Sequence, residues 1–283
     1  MSVGVCVANH EGFALAAESR RLAELAGPEP RHEIVSENAR KLFLVDERLA
    51  VATHGQATIG ERTIGALMEE FTSPPADGAV AYANALGEWF ARKLSAGTQP
   101  RRGDLANAES MRWPLGFAVA GFDGDTGHLY EVAVRAGDHR VELKSPGTAN
   151  PGVHAFGQTD GIDRFLSGVD RSALKKARIS LSAEDERKLG MLAYGLIVPE
   201  DLTGAAALAE SLLGLQLLAQ RCSWGTLADG DVARIPGCGG QIKTITIARD
   251  GGRWARAPEP SPTSRRGVAE PSGVALRLER WSA

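Results

Sequence analysis

The chain has 283 residues, 43% of them hydrophobic and 24% charged, with a formal net charge of −3. That length supports one large domain or two small ones, and the charge balance excludes the basic surplus of a general nucleic-acid binder. Three cysteines, Cys6, Cys222 and Cys238, without a CxxC pair exclude a disulfide framework or a zinc site and fit a reducing compartment.

The first residues, "SVGVCVA", alternate small and β-branched side chains and predict a strand. They lack the positive-then-apolar order of a secretory signal, so a cytoplasmic location is expected. Asn9-His10-Glu11-Gly12 is turn chemistry, and "FALAAES" predicts the returning strand of a hairpin. The polar, Pro-containing "RRLAELAGPEPRHEIVSEN" is expected to be a loop. Strands are predicted over Lys41–Val45 and Leu49–Thr53 around Asp46-Glu47-Arg48, making four strands in the first 55 residues.

Helical periodicity begins with "QATIGERTIGALMEEF" (Ile59, Ile64, Leu67, Phe71), which Pro74-Pro75 stops. "ADGAVAYANALGEWFARKLSAG" follows, with Val80, Leu86, Phe90 and Leu94 on one predicted face, and then the polar loop "TQPRRGDLANAESMR". Strands return in "LGFAVAGFDGDTGHLYEVAVRAGDHRVELKSPG", with turns at Gly124-Asp125 and Gly137-Asp138. "HAFGQTDGIDRFLSG" leads into helical material again, and "LSAEDERKLGMLAYGLI" and "GAAALAESLLGLQLLAQRC" predict two further helices, the first with a Ser182-x-x-Asp185 capping pattern. The last, interrupted by Glu210 and Gln216, reads as a buried helix, so no membrane span is expected. "GQIKTITIARDGGRWA" predicts a final hairpin at Asp250-Gly251. From Pro258 a Pro/Ser/Arg-rich tail, 258–283, is set off from a domain over 2–257, with "VALRLERW" a possible late strand.

Strands, paired helices, strands, helices and strands in that order predict an α+β chain, a four-layer αββα sandwich rather than a doubly wound parallel fold. Four stretches then resemble the proteasome β-subunit family of N-terminal-nucleophile hydrolases: "GFALAAESR", "KLFLVDERLAVATHG", "VAGFDGDTGHLYEV" and "CGGQIKTITIARDGG". Together they span roughly residues 2 to 252. Setting Glu18-Ser19-Arg20 on the family's Asp-Ser-Arg places Ser2 on its catalytic first residue. Met1 before a small residue suits removal by methionine aminopeptidase.

The resemblance implies a mechanism with physical logic of its own. A serine hydroxyl needs a base, and an α-amine of pKa near ~8 is a good one at neutral pH. Lys41 falls on the family's active-site lysine, whose charge would keep that amine unprotonated. Glu18 would hold Lys41, the Gly55 N–H would be the oxyanion donor, and Arg20 would structure the site. Departures are Glu18 for Asp, a longer segment from Arg20 to Lys41, and Gln158 where a supporting serine is expected. The second acid is Asp229 or Asp231, with Asp231 favoured, and Cys238 occupies a small-residue position.

The six histidines, His10, His32, His54, His128, His139 and His154, show no metal-ligand spacing, and "GCGGQIKT" lacks a phosphate-loop ending. Cys6 reads as a buried core thiol. No cofactor and no metal are expected. The resemblance implies a polypeptide or small-amide substrate, a homo-oligomer such as a ring, and an ATP-dependent unfoldase partner where the substrate is unfolded protein. The alternative is a catalytically silent, proteasome-like assembly subunit.

Overall fold

The computed structural model describes residues 2–25, 31–72, 78–97, 114–169, 174, 177–191, 195–222 and 236–257. The loop over 98–113, the tail 258–283 with its late strand, and Asp229 and Asp231 lie outside the described residues.

Alternation of small and β-branched residues forms β1 (Val3–Ala8), and β2 (Gly12–Ala17) returns beside it. The turn is closed by Asn9, whose Oδ1 accepts from the Glu11 and Gly12 N–H groups at 3.0 Å. The segment expected to be a loop holds two strands, β3 (Arg21–Leu25) and β4 (Arg31–Ser36), which among the described residues pair only with each other. Its charged residues leave no apolar alternation to read, and Pro28 and Pro30 suggest irregular chain. With β5 (Leu42–Asp46) and β6 (Leu49–Gly55), six strands precede residue 56 rather than four.

The first helix starts later than its periodicity suggests. A small hairpin, β7 (Thr58–Ile59) and β8 (Arg62–Thr63), comes first, turning at Gly60 with φ +58°. Thr63 Oγ1 then accepts from Ala66 N at 3.1 Å and caps α1 (Ile64–Glu70). Helix α2 (Ala79–Gly97) buries Tyr82, Ala83, Leu86, Phe90 and Leu94, but Val80, expected on that face, is 40% exposed. A single residue there moves the stripe by 100°.

Strands β9 (Leu115–Asp123), β10 (Thr126–Arg135) and β11 (Asp138–Lys144) form a meander whose turns use positive φ at Gly124 and Gly137, as expected. Then come β12 (Gly152–Gly157), α3 (Asp160–Ser167) and α4 (Ala183–Gly190), the last opened by the Ser182–Asp185 capping box. Helix α5 (Leu202–Cys222) and the hairpin β13 (Lys243–Ala248) and β14 (Gly251–Arg256) complete the described chain.

The architecture is α+β. Sheet I has the order β12-β1-β2-β13-β14 and sheet II the order β11-β10-β9-β6-β5, all pairings antiparallel. Three apolar clusters hold them. Phe13, Leu15 and Ile245 of sheet I meet Leu42, Ala52 and Leu129 of sheet II. Leu86, Phe90 and Leu94 pack on the other face of sheet II, and Leu212, Leu213 and Leu217 on the other face of sheet I. Each fully buried Leu or Phe contributes about 1.5–3 kcal/mol. Helix α5 is long and apolar enough to cross a membrane, yet its buried residues pack against β1 and β2.

At one end of sheet I the contact is tight. A Cβ on Gly4 would stand 2.2 Å from Phe156 Cζ, so the ring lies directly on the glycine. Gly4→Ala is therefore expected to displace Phe156 and cost about 1–3 kcal/mol. Urea unfolding reads this, and an unchanged midpoint would show that the ring has room to move.

Candidate active site

The start of β1, the end of β2, the start of β5 and the end of β6 meet at that same end. Ser2 is buried there, and its carbonyl accepts from Gln158 N at 2.8 Å. Gly157, just before Gln158, has φ +81°, and a Cβ on it would fall 2.1 Å from the Ser2 carbonyl oxygen. Only glycine fits both the backbone angle and the close approach.

Glu18 follows β2, and its N–H donates to Val3 O at 3.4 Å. Lys41 precedes β5 in the other sheet and reaches across to ion-pair with Glu18 Oε1. The side chains are 8% and 0% exposed respectively. The second oxygen, Oε2, accepts from Arg20 N at 2.7 Å and Gly239 N at 3.1 Å. Both carboxylate oxygens are thus engaged. Arg20 takes a supporting position. Its guanidinium grips Glu37 at 2.8–3.1 Å, donates to Pro236 O at 2.9 Å, and covers Gly239, where a Cβ would lie 2.3 Å from Cζ.

The opposite flank carries carboxamides and a thiol. Cys238 Sγ lies 3.7 Å from Gln158 Oε1, and Cys238 N donates to Gln220 Oε1 at 2.8 Å. Burial pushes the Cys238 thiol up to about 12; the Glu18 carboxylate adds to the rise and Lys41 opposes it. The thiol stays protonated at neutral pH and serves as a weak donor. Gln220 was not singled out by the sequence reading. Its signal is a pair of glutamines four apart, Gln216 and Gln220, in an otherwise apolar helix: both are buried, and Gln216 Oε1 accepts from Gly161 N and Ile162 N at the start of α3.

Gly55 ends β6 with φ +85°, and a Cβ there would meet Pro114 O at 2.4 Å. Thr53 N donates to Lys41 O at 2.9 Å, which places Gly55 and Lys41 at the same end of sheet II. His54, the last residue of β6 before Gly55, enters a polar group with Glu131 and His154. Burial lowers both imidazole pKa values; Glu131 opposes this, while His154 reinforces it at His54 and Lys144 at His154. Among the described residues no cluster of His, Cys, Asp or Glu is arranged to hold a metal ion. Ser2, Glu18, Arg20, Lys41, Gly55 and Gln158 thus gather at one end of the sheets, with a fixed cation, a hydroxyl and a strand-end N–H.

Two outcomes follow from this geometry. Glu18→Gln leaves Lys41 buried without its counter-charge and is expected to destabilise the fold by about 3–5 kcal/mol; denaturant unfolding at pH 7 reads it, and a loss below about 1 kcal/mol would contradict a dry ion pair. For the histidines the folded pKa lies below the unfolded value of about 6.5, so the unfolded chain binds more protons in acid. Their contribution is complete above about pH 6.5 and is lost as pH falls below it. The unfolding midpoint of a Glu131→Gln variant should fall more steeply over that window than that of the parent.

No protein-family model and no curated protein matches the chain. Among solved structures it is similar to the Anbu (Gly-1) mutant from Hyphomicrobium sp. strain MC1, at 15% identity and a TM-score of 0.44, with 90% of this chain and 85% of that chain covered. A similarity of that size leaves the family undefined.

Proposed function

We propose that this chain is a proteasome-like N-terminal serine hydrolase that cleaves amide bonds through an acyl-enzyme at Ser2 once Met1 is removed. The observation that carries this reading is the buried Lys41–Glu18 ion pair at the end of the sheets where Ser2 leads into β1. A scaffold gains little from such a pair, because apolar residues of the same volume are often as stable or more so. A nucleophile that uses its own amine as base gains a fixed cation nearby.

In this reading the free amine of Ser2 takes the hydroxyl proton as Oγ attacks the substrate carbonyl. The tetrahedral oxyanion accepts from the Gly55 N–H. The amine passes its proton to the departing nitrogen, leaving an ester on Oγ. Water then cleaves the ester with the same amine as base. Lys41 lowers the amine's proton affinity, Glu18 holds Lys41, and Arg20 with Gly239 holds Glu18. Asp231, favoured over Asp229, is the acid assigned to the amine, and Gln158 holds the Ser2 backbone.

The three apolar clusters in series support the αββα sandwich within this reading. A closed homo-oligomer, such as a ring, would shelter the sites in the cytoplasm. Its substrate would be a small amide, or unfolded polypeptide delivered by an ATP-dependent unfoldase. The rival reading, a silent assembly subunit, is favoured by Gln158 standing where a serine is expected.

Intact mass and a β-lactone probe separate the two. The enzyme predicts a chain lacking Met1 that labels once at Ser2. Labelling is expected to vanish in Ser2→Ala and to slow by about 10²-fold or more in Lys41→Ala. A correctly processed chain that never labels is the silent subunit.

A further inference from the structure

A second polar group between the sheets takes no part in that scheme. His54 comes from β6, immediately before Gly55. His154 comes from β12, the edge strand of sheet I, while Glu131 and Lys144 come from β10 and β11 of sheet II. Glu131 stands between the imidazoles: His54 Nε2 is 3.9 Å from its Oε1, and His154 Nε2 is 3.8 Å from its Oε2. Both Nε2 atoms are buried, and among the described residues neither has a hydrogen-bond partner.

The surroundings are charge-balanced while both imidazoles are neutral. Lys144 Nζ lies 3.1 Å from Glu131 Oε2 and 2.5 Å from Glu142 Oε2, and Glu142 also pairs with Arg140. Among the described residues the other elements add no charge: Gly116 of β9 lies under the His54 ring, and Cys6 of β1 stands opposite His154 in the strand register, its thiol kept protonated by burial. Phe156 packs against both histidines, its ring centroid 5.5 Å from that of His54 and 6.3 Å from that of His154. One added proton puts an N–H on both ring nitrogens and a positive charge that the Glu131 carboxylate attracts; a second meets the first cation at close range.

We propose that His54, Glu131 and His154 form a one-proton clamp between the two sheets, and that His54 is a positioning residue for the Gly55 N–H. A protonated His54 closes on Glu131 from 3.9 Å toward a hydrogen bond of about 2.9 Å. Its ring already rests on Gly116, where a Cβ would stand 2.2 Å from Cε1. The movement therefore passes into the backbone, and the next residue is Gly55, held at φ +85° against Pro114. The clamp itself is independent of catalysis; its effect on reactivity rests on Gly55 being the oxyanion donor of the proposed hydrolase.

Nuclear magnetic resonance of the full chain from pH 8 to pH 4.5 tests it, reading the imidazole Cε1–H signals and the Gly55 amide. The two histidines are expected to titrate jointly, with the Gly55 amide following the same midpoint. Glu131→Gln should lower that midpoint by about one unit or more, and His154→Gln should leave His54 a single independent curve. Independent titration of both histidines, or a Gly55 amide that stays still while they titrate, overturns the proposal. β-Lactone labelling over the same range supplies the second arm. The parent should lose reactivity in acid with a two-proton dependence, one from the amine and one from the clamp, and His54→Gln with one. Single-proton dependence in both overturns the positioning role. If nothing labels at any pH, the hydrolase reading fails, and the resonance titration still decides the clamp.

Discussion

Two opposite charges taken out of water must find each other and must also find every remaining hydrogen bond, or the fold does not form. The Lys41–Glu18 pair imposes that condition on the whole end of the molecule. Glu18 needs donors for its second oxygen and finds them in the Arg20 and Gly239 N–H groups, which binds the end of β2 to the chain entering β13. Gly239 must then lie under the Arg20 guanidinium, so that position cannot carry a side chain. Arg20 in turn holds Glu37, and Ser19 accepts from Gln241 N while its own carbonyl accepts from Ala39 N. The β3–β4 hairpin is thereby anchored at its base beside the same ion pair.

The flanks of Ser2 differ in kind. One flank is charged and rigid, with Lys41 and Glu18 joining sheet to sheet. Among the described residues the other is neutral, with Gln158, Gln220 and the protonated Cys238 thiol. Phe156 covers Gly4 and packs against both His54 and His154. The candidate site and the histidine clamp therefore share one aromatic wall.

The hairpins β1–β2, β5–β6, β9–β10–β11 and β13–β14 were legible in the sequence because alternation and turn residues are local. So were α2 and α5, whose periodicity runs over several turns. The β3–β4 hairpin was not, because its strands pair only with each other and carry no core face to pattern them. The start of α1 was misread because Thr63 capping and the Gly60 turn override a sequence periodicity that begins earlier.

Among the functional candidates, Ser2, Glu18, Lys41 and Gly55 stood out through the family resemblance of the stretches that carry them, and strand order brings those stretches to one end of the sheets. Gln220 and the His54–Glu131–His154 group did not, since their members come from elements 18 to 80 or more residues apart. The sequence by itself determined which segments become strands or helices and which face of each is apolar, because those depend on periodicities of two and 3.6 residues. Only the tertiary structure decided which buried polar groups share a partner. Desolvation makes each such group costly alone, and its partner is chosen by proximity across sheets, which no local pattern records.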